Sequence, residues 1–199
     1  MLIGFDIPAN SPEVANLMNE IGRSAALAAN GLAAKVKTGF LTPGDFVPAI
    51  LPAKGGRIEA TVMRWGIKYP NRDAMIGARF EGIRRRPGLK DLIDRRRCVV
   101  PVGALVYAAG PERSRYIAAP EGGGVVFAPG IYDVFRNRVT GADEGCFAFL
   151  TKPAPRYLLP LTPLVPLAFG KRNILFWFGS KEVDELFYAD FPRYTVRPL

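Results

Sequence analysis

The chain of 199 residues contains no histidine. Ser–His–Asp and Cys–His catalysis are therefore excluded, as are metal sites built on imidazole. Cysteine is nearly as scarce. Cys98 and Cys146 are the only two, too few for a disulfide framework and not spaced like zinc ligands. Each lies in an apolar run, CVVP and GCFAFL, and reads as a small buried hydrophobe. The arginines beside Cys98 leave a reactive thiol as the alternative. Long apolar stretches are missing too. The longest, LLPLTPLVPLAF at 158–169, holds three prolines and is too short to cross a bilayer. The opening MLIGFDIPAN lacks the charged start of a signal peptide. The expectation is a soluble, cytoplasmic protein with no membrane, metal or cofactor.

Acidic residues are also in deficit, at 18 against 27 lysines and arginines, for a net charge of +9. The excess is local. Window 72–97 holds nine of the 27 basic residues and only four acids. Such clustering is the footprint of phosphate contact, although a merely basic surface has the same composition.

What the chain has in plenty is glycine and proline, 21 and 18 residues, which predict short elements joined by many turns. Residues 11–29 read as a helix, with Ser11 as N-cap, Pro12 in the first turn and an apolar stripe from Val14 to Ala28. Strand-like runs follow at 35–40, 46–51, 57–65, 98–108, 114–118, 124–128, 130–135, 145–151 and 156–159. EGGG at 121–124 reads as a hairpin turn. Short helices are expected at 88–96 and 180–188. The sum is one α+β domain, a much-bent antiparallel or mixed sheet, barrel-like, with peripheral helices.

Seven motifs in order carry a resemblance. They are PGDFVPAI at 43–50, RWG at 64–66, GARFE at 77–81, RPGLKDLIDRRRCVVP at 86–101, APGIYD at 128–133, FAFLT at 147–151 and VPLAF at 165–169. In this order the chain resembles the SOS-response-associated peptidase (SRAP) family. The resemblance implies a DNA-damage context and contact with single-stranded DNA. It also implies capture of abasic sites by a cysteine that directly follows the initiator methionine. That cysteine forms an imine with the sugar aldehyde through its α-amine, and its thiol closes a stable ring.

The departures bear on that chemistry. The family cysteine falls at Leu2, its asparagine at Gly77, its glutamate at Tyr107 and its histidine at Thr162. The peptidase label would need a nucleophile beside a base, and no such pair is visible. The binding face is retained. Arg79 occupies the family's DNA-contacting arginine, and its guanidinium fork suits phosphate oxygens. Thr151 lies at a family position near the strand's path. Trp65 reads either as a platform for a base, worth about 1–3 kcal/mol, or as core. Arg84, Arg85 and Arg86, with Arg95–Arg97, read either as an electrostatic funnel or as solvated helix ends. Arg79 and Glu81 share a strand face and have a plain salt bridge as their alternative.

Three functional expectations follow. The first is a binder of single-stranded or abasic-site DNA without covalent catalysis, cytoplasmic or nucleoid-associated. The second is crosslinking of abasic DNA by the Met1 amine, since leucine at position 2 is too large for removal of Met1. The third is an interaction protein that has kept the fold and lost DNA.

Overall fold

The computed structural model describes residues 1–69, 72–179 and 191–199. In chain order, β1 (Leu2–Ile7) leads into α1 (Pro12–Arg23) and α2 (Ala25–Ala29). Seven strands follow: β2 (Gly39–Leu41), β3 (Phe46–Pro52), β4 (Ile58–Trp65), β5 (Ile67–Tyr69), β6 (Arg72–Met75), β7 (Gly77–Arg79) and, after α3 (Lys90–Arg95), β8 (Arg97–Val102). The chain continues through β9 (Ala104–Ala109), β10 (Ser114–Pro120), β11 (Val126–Arg136), β12 (Asp143–Pro153) and β13 (Leu164–Pro166). It then forms α4 (Ile174–Gly179) and β14 (Tyr194–Pro198).

Strands β11, β8, β3, β4 and β12 pair in that order, and β12 pairs back onto β11. This ring is a closed five-stranded barrel, mixed because β12 runs parallel to β4. A five-stranded sheet of order β14-β10-β9-β1-β2 packs beside it. The expected α+β architecture, bent and barrel-like with helices at the rim, is what the chain adopts.

The pleat sorts the core into two layers, because successive side chains leave opposite faces of a strand. Phe147 and Phe149 of β12 join Trp65, Val100 and Ala128 from the barrel, and Phe5, Leu105 and Tyr107 from the second sheet. The alternate residues Cys146, Ala148 and Leu150 join Val99 and Ile131 under the helical residues Ile93, Ile174 and Trp177. Phe5, Trp65 and Phe149 meet edge to face, with ring centroids 4.9–5.7 Å apart. Each such pair adds about 0.5–1.5 kcal/mol beyond its area. Burying Val14, Leu17 and Ile21, α1 packs on β3 and β4.

Several expectations are corrected. The helix at 11–29 is two, broken at Ser24, where the backbone turns extended and the side chain accepts the Leu27 N–H to cap α2. The run at 98–108 is two strands divided at Gly103, where a β-carbon would lie 2.6 Å from Pro8 Cδ. Runs 124–128 and 130–135 form the single strand β11, which Pro129 crosses opposite Val99. EGGG does turn the chain, but β10 and β11 belong to different sheets, so it joins sheets rather than hairpin strands. Residues 156–158 form a 3-10 turn, not a strand. The expected helix at 180–188 lies outside the described residues. No strand was read at 2–7, and β1 lies inside the second sheet, between β9 and β2.

Gly130 sits where β11 is pressed between β8 and β12. A β-carbon there would lie 2.8 Å from the Ala148 carbonyl oxygen and 3.1 Å from Cys98 Sγ. We expect Gly130→Ala to lower stability by about 1–3 kcal/mol through overpacking, read as a fall in denaturant midpoint. An unchanged midpoint would show that the barrel has slack at this point.

Candidate nucleic-acid interface

A break in β12's parallel edge positions Arg79. That edge pairs first with β4, at Gly145–Phe147, and then with β7, at Phe149–Thr151. Segment 66–76 leaves the barrel between the two. On the short strand β7, Ala78 is buried while Gly77 and Arg79 face solvent. Thr151 stands opposite Arg79 in register and is 8% exposed. The Phe80 N–H donates to the Thr151 carbonyl at 2.8 Å.

Arg79 makes no ion pair or side-chain hydrogen bond with the described residues, and no bridge to Glu81 forms. The arginines after it are unequal. Arg86 donates to the carbonyls of both Arg79 and Glu81, the latter at 2.9 Å, and so clasps the turn that follows β7. Arg84 pairs with Asp94 at 3.1 Å. Arg85 is exposed. In the second triplet, Arg95 is exposed and Arg96 pairs with Asp133. Arg97 is buried, donating to the carbonyls of Ile93 and Trp177 while lying 5.0 Å from the Trp177 ring. The funnel reading is thereby narrowed. Arg84, Arg86, Arg96 and Arg97 are engaged by the protein, which leaves Arg79, Arg85 and Arg95 available.

Trp65 is corrected as a stacking platform. Its indole is 1% exposed and donates to the Ile76 carbonyl at 3.0 Å, so it is core. Both cysteines are buried, and burial pushes both thiols up, which keeps them un-ionised and disfavours the reactive alternative.

Three of the four departure positions come together at the N terminus. Leu2 on β1 pairs with Tyr107 on β9. The Met1 amine donates to the carbonyls of Ala108, at 2.7 Å, and Leu161, at 3.1 Å, the residue before Thr162. Burial, and then the charge of Arg113, hold this amine below its ordinary pKa. Tyr107 is fully buried, its hydroxyl has no hydrogen-bond partner among the described residues, and burial drives its pKa upward. Thr162 turns its hydroxyl onto the Leu164 carbonyl at 2.8 Å. Gly77 lies on β7, where a β-carbon would be 3.1 Å from Thr151 Cγ2. Sequence reasoning missed the carbonyls that hold Met1. They lie 107 and 160 residues away, and no local pattern signals them. Among the described residues no cluster of metal-ligating side chains exists, and no helix is long and apolar enough to cross a membrane.

Comparison with known families decides the relationship. The family described as SOS response associated peptidase (SRAP) matches residues 15–193. The chain belongs to the SRAP family. Solved structures share the SRAP fold at low identity. A Bacteroides thetaiotaomicron protein is 15% identical with a TM-score of 0.73, over 98% of this chain and 90% of its own. A Bordetella bronchiseptica protein is 13% identical with a TM-score of 0.73, over 99% of each chain. A phage-related protein of the same organism is 17% identical with a TM-score of 0.65, over 100% of this chain and 93% of its own. No curated protein matches the sequence. The link to the SOS response thus comes with the SRAP family itself.

Two substitutions separate packing from binding here. Tyr107→Phe removes a buried hydroxyl without a partner, so melting temperature should hold or rise, by up to about 1 kcal/mol of stability. A fall of several degrees would reveal a hidden partner. Arg97→Ala should cost about 2–4 kcal/mol through lost buried hydrogen bonds and packing, whereas Arg95→Ala should stay within about 0.5 kcal/mol. Equal losses would contradict the division drawn between these neighbours.

Proposed function

We propose that this SRAP-family protein binds single-stranded or abasic-site DNA during the response to DNA damage, without thiol-based covalent catalysis. The observation that carries this reading is Arg79. It is a solvent-facing guanidinium with no partner among the described residues, fixed on a strand whose following turn Arg86 clasps. An unpaired guanidinium carried on a pinned backbone is suited to a phosphate, because no ion pair among the described residues has to be broken before it binds. Thr151 beside it, and the exposed Arg85 and Arg95, supply further polar and cationic contact. Leu2, Gly77, Tyr107 and Thr162 stand where the family resemblance would put a thiol, an amide, a carboxylate and an imidazole. None of the four supplies the nucleophile or base the ring-closing reaction needs.

Wild type should bind a labelled twelve-nucleotide single strand with affinity that falls steeply as salt rises. Arg79→Ala should weaken binding about tenfold, the loss of one charge-assisted contact of roughly 1.5 kcal/mol, and reduce the log–log salt slope by about 0.7. Salt-independent binding, or binding indifferent to Arg79→Ala, would contradict the reading.

The Met1 amine supports a second reading, reversible imine formation with an abasic sugar. Its lowered pKa raises the fraction of free amine at neutral pH, and the free amine is the nucleophile. The aldehyde carbon would gain the amine nitrogen and release water, with no ring to follow. Borohydride should then trap an adduct on abasic single strands, and acetylating the α-amine should abolish it. A trapped adduct that survives acetylation rules this reading out.

A further inference from the structure

The outer face of the five-stranded sheet carries a second group of unpartnered cations. A groove of about 440 Å³ is lined there by Ile3, Phe40, Thr42, Ala108, Arg113 and Arg115. The pleat explains the gathering. Arg115 pairs with Ala108 across β10 and β9, while Leu105 and Tyr107 point into the core. Ile117, two residues on, pairs with Arg197 of β14, which places a third arginine on the same face. Arg113, Arg115 and Arg197 form no ion pair or side-chain hydrogen bond among the described residues. Asp6 stands opposite Phe40 and Glu112 lies in the turn before Arg113, and neither forms an ion pair with these arginines among the described residues.

Two features make this a built surface. Phe40 rests on Gly4, where any β-carbon would lie 2.4 Å from its ring. The glycine therefore seats the ring against the backbone, while the residue stays 52% exposed. Arg113 is the only non-glycine residue with positive φ among the described residues, at 53°. Arg113 closes the turn between β9 and β10, its N–H donating to the Gly110 carbonyl at 3.2 Å, and an arginine in this left-handed position carries some strain. Here it sets a guanidinium at the groove.

We propose that this groove is a second contact for single-stranded nucleic acid, with one base on the outer face of Phe40 and backbone phosphates on Arg113 and Arg115. Aromatic rings flanked by arginines suit a strand of any sequence, since every base has a stacking face and every linkage a phosphate. The inference rests on the reading of the protein as a single-strand binder, and it shares no residue with the Arg79 site.

The test follows arginine Nε and Phe40 ring signals by NMR during titration with a 5′-phosphorylated thymidine dinucleotide, with inorganic phosphate as control. Dinucleotide should shift Arg113, Arg115 and Phe40, and phosphate the arginines alone. Arg113→Gly relieves the strained backbone, so its melting temperature should hold or rise. Affinity for the twelve-nucleotide strand should nevertheless fall severalfold, and about tenfold with Arg115→Ala added. Groove signals unmoved by millimolar dinucleotide would overturn the proposal, even if Arg79→Ala still abolished strand binding. A Phe40 shift reproduced by phosphate alone would also overturn it. Groove signals that move while Arg79→Ala has no effect would sink the Arg79 reading and leave this one standing.

Discussion

Everything in this fold hangs on β12 having both edges occupied. One edge takes β11 and then β13, and the other takes β4 and then β7. With its β11 and β13 side paired along Asp143–Pro153 and its β4 and β7 side along Gly145–Thr151, β12 closes the barrel and covers both of its own edges over the middle of the strand. Because the handover from β4 to β7 occurs within that edge, segment 66–76 must leave the barrel and return. Arg79 sits at the point of return. The position of the candidate interface is therefore a by-product of how the barrel closes, with Trp65 pinning the detour by its bond to the Ile76 carbonyl.

The second sheet depends on the first through aromatic packing. Phe5 of β1 stands against Trp65 and Phe149 of the barrel, so one sheet's inner face fixes the other's. On its outer face Arg115 and Arg197 are exposed and carry charge without burying it.

Much of this was legible in the sequence, and the reasons are local. Alternating apolar runs located β3, β4 and β12 because each has one face in each core layer. The order of seven motifs pointed to the family. What stayed hidden was pairing at a distance. LIGFDI looked like an unremarkable start because its partners lie on β9 and β2. The arginine triplets looked alike because charge is readable from sequence while engagement is not. Arg97 and Arg95 differ by two positions and by whether the carbonyls of Ile93 and Trp177 surround them. Trp65 was ambiguous for the same reason, since a strand tryptophan is core or platform according to what faces it.

The packing at Gly77, Tyr107 and Thr162 also limits what can stand there. The Thr162 hydroxyl is closed on its own segment through Leu164, and Tyr107 fills a site without solvent. A side chain added at Gly77 would press on Thr151, which itself stands opposite Arg79 in register. A carboxylate placed at position 107 would be buried and desolvated, which is costly unless it is paired. At Gly77 and Tyr107 substitution is therefore coupled: a larger side chain at the one, or a charge at the other, calls for a compensating change in the residues packed around it.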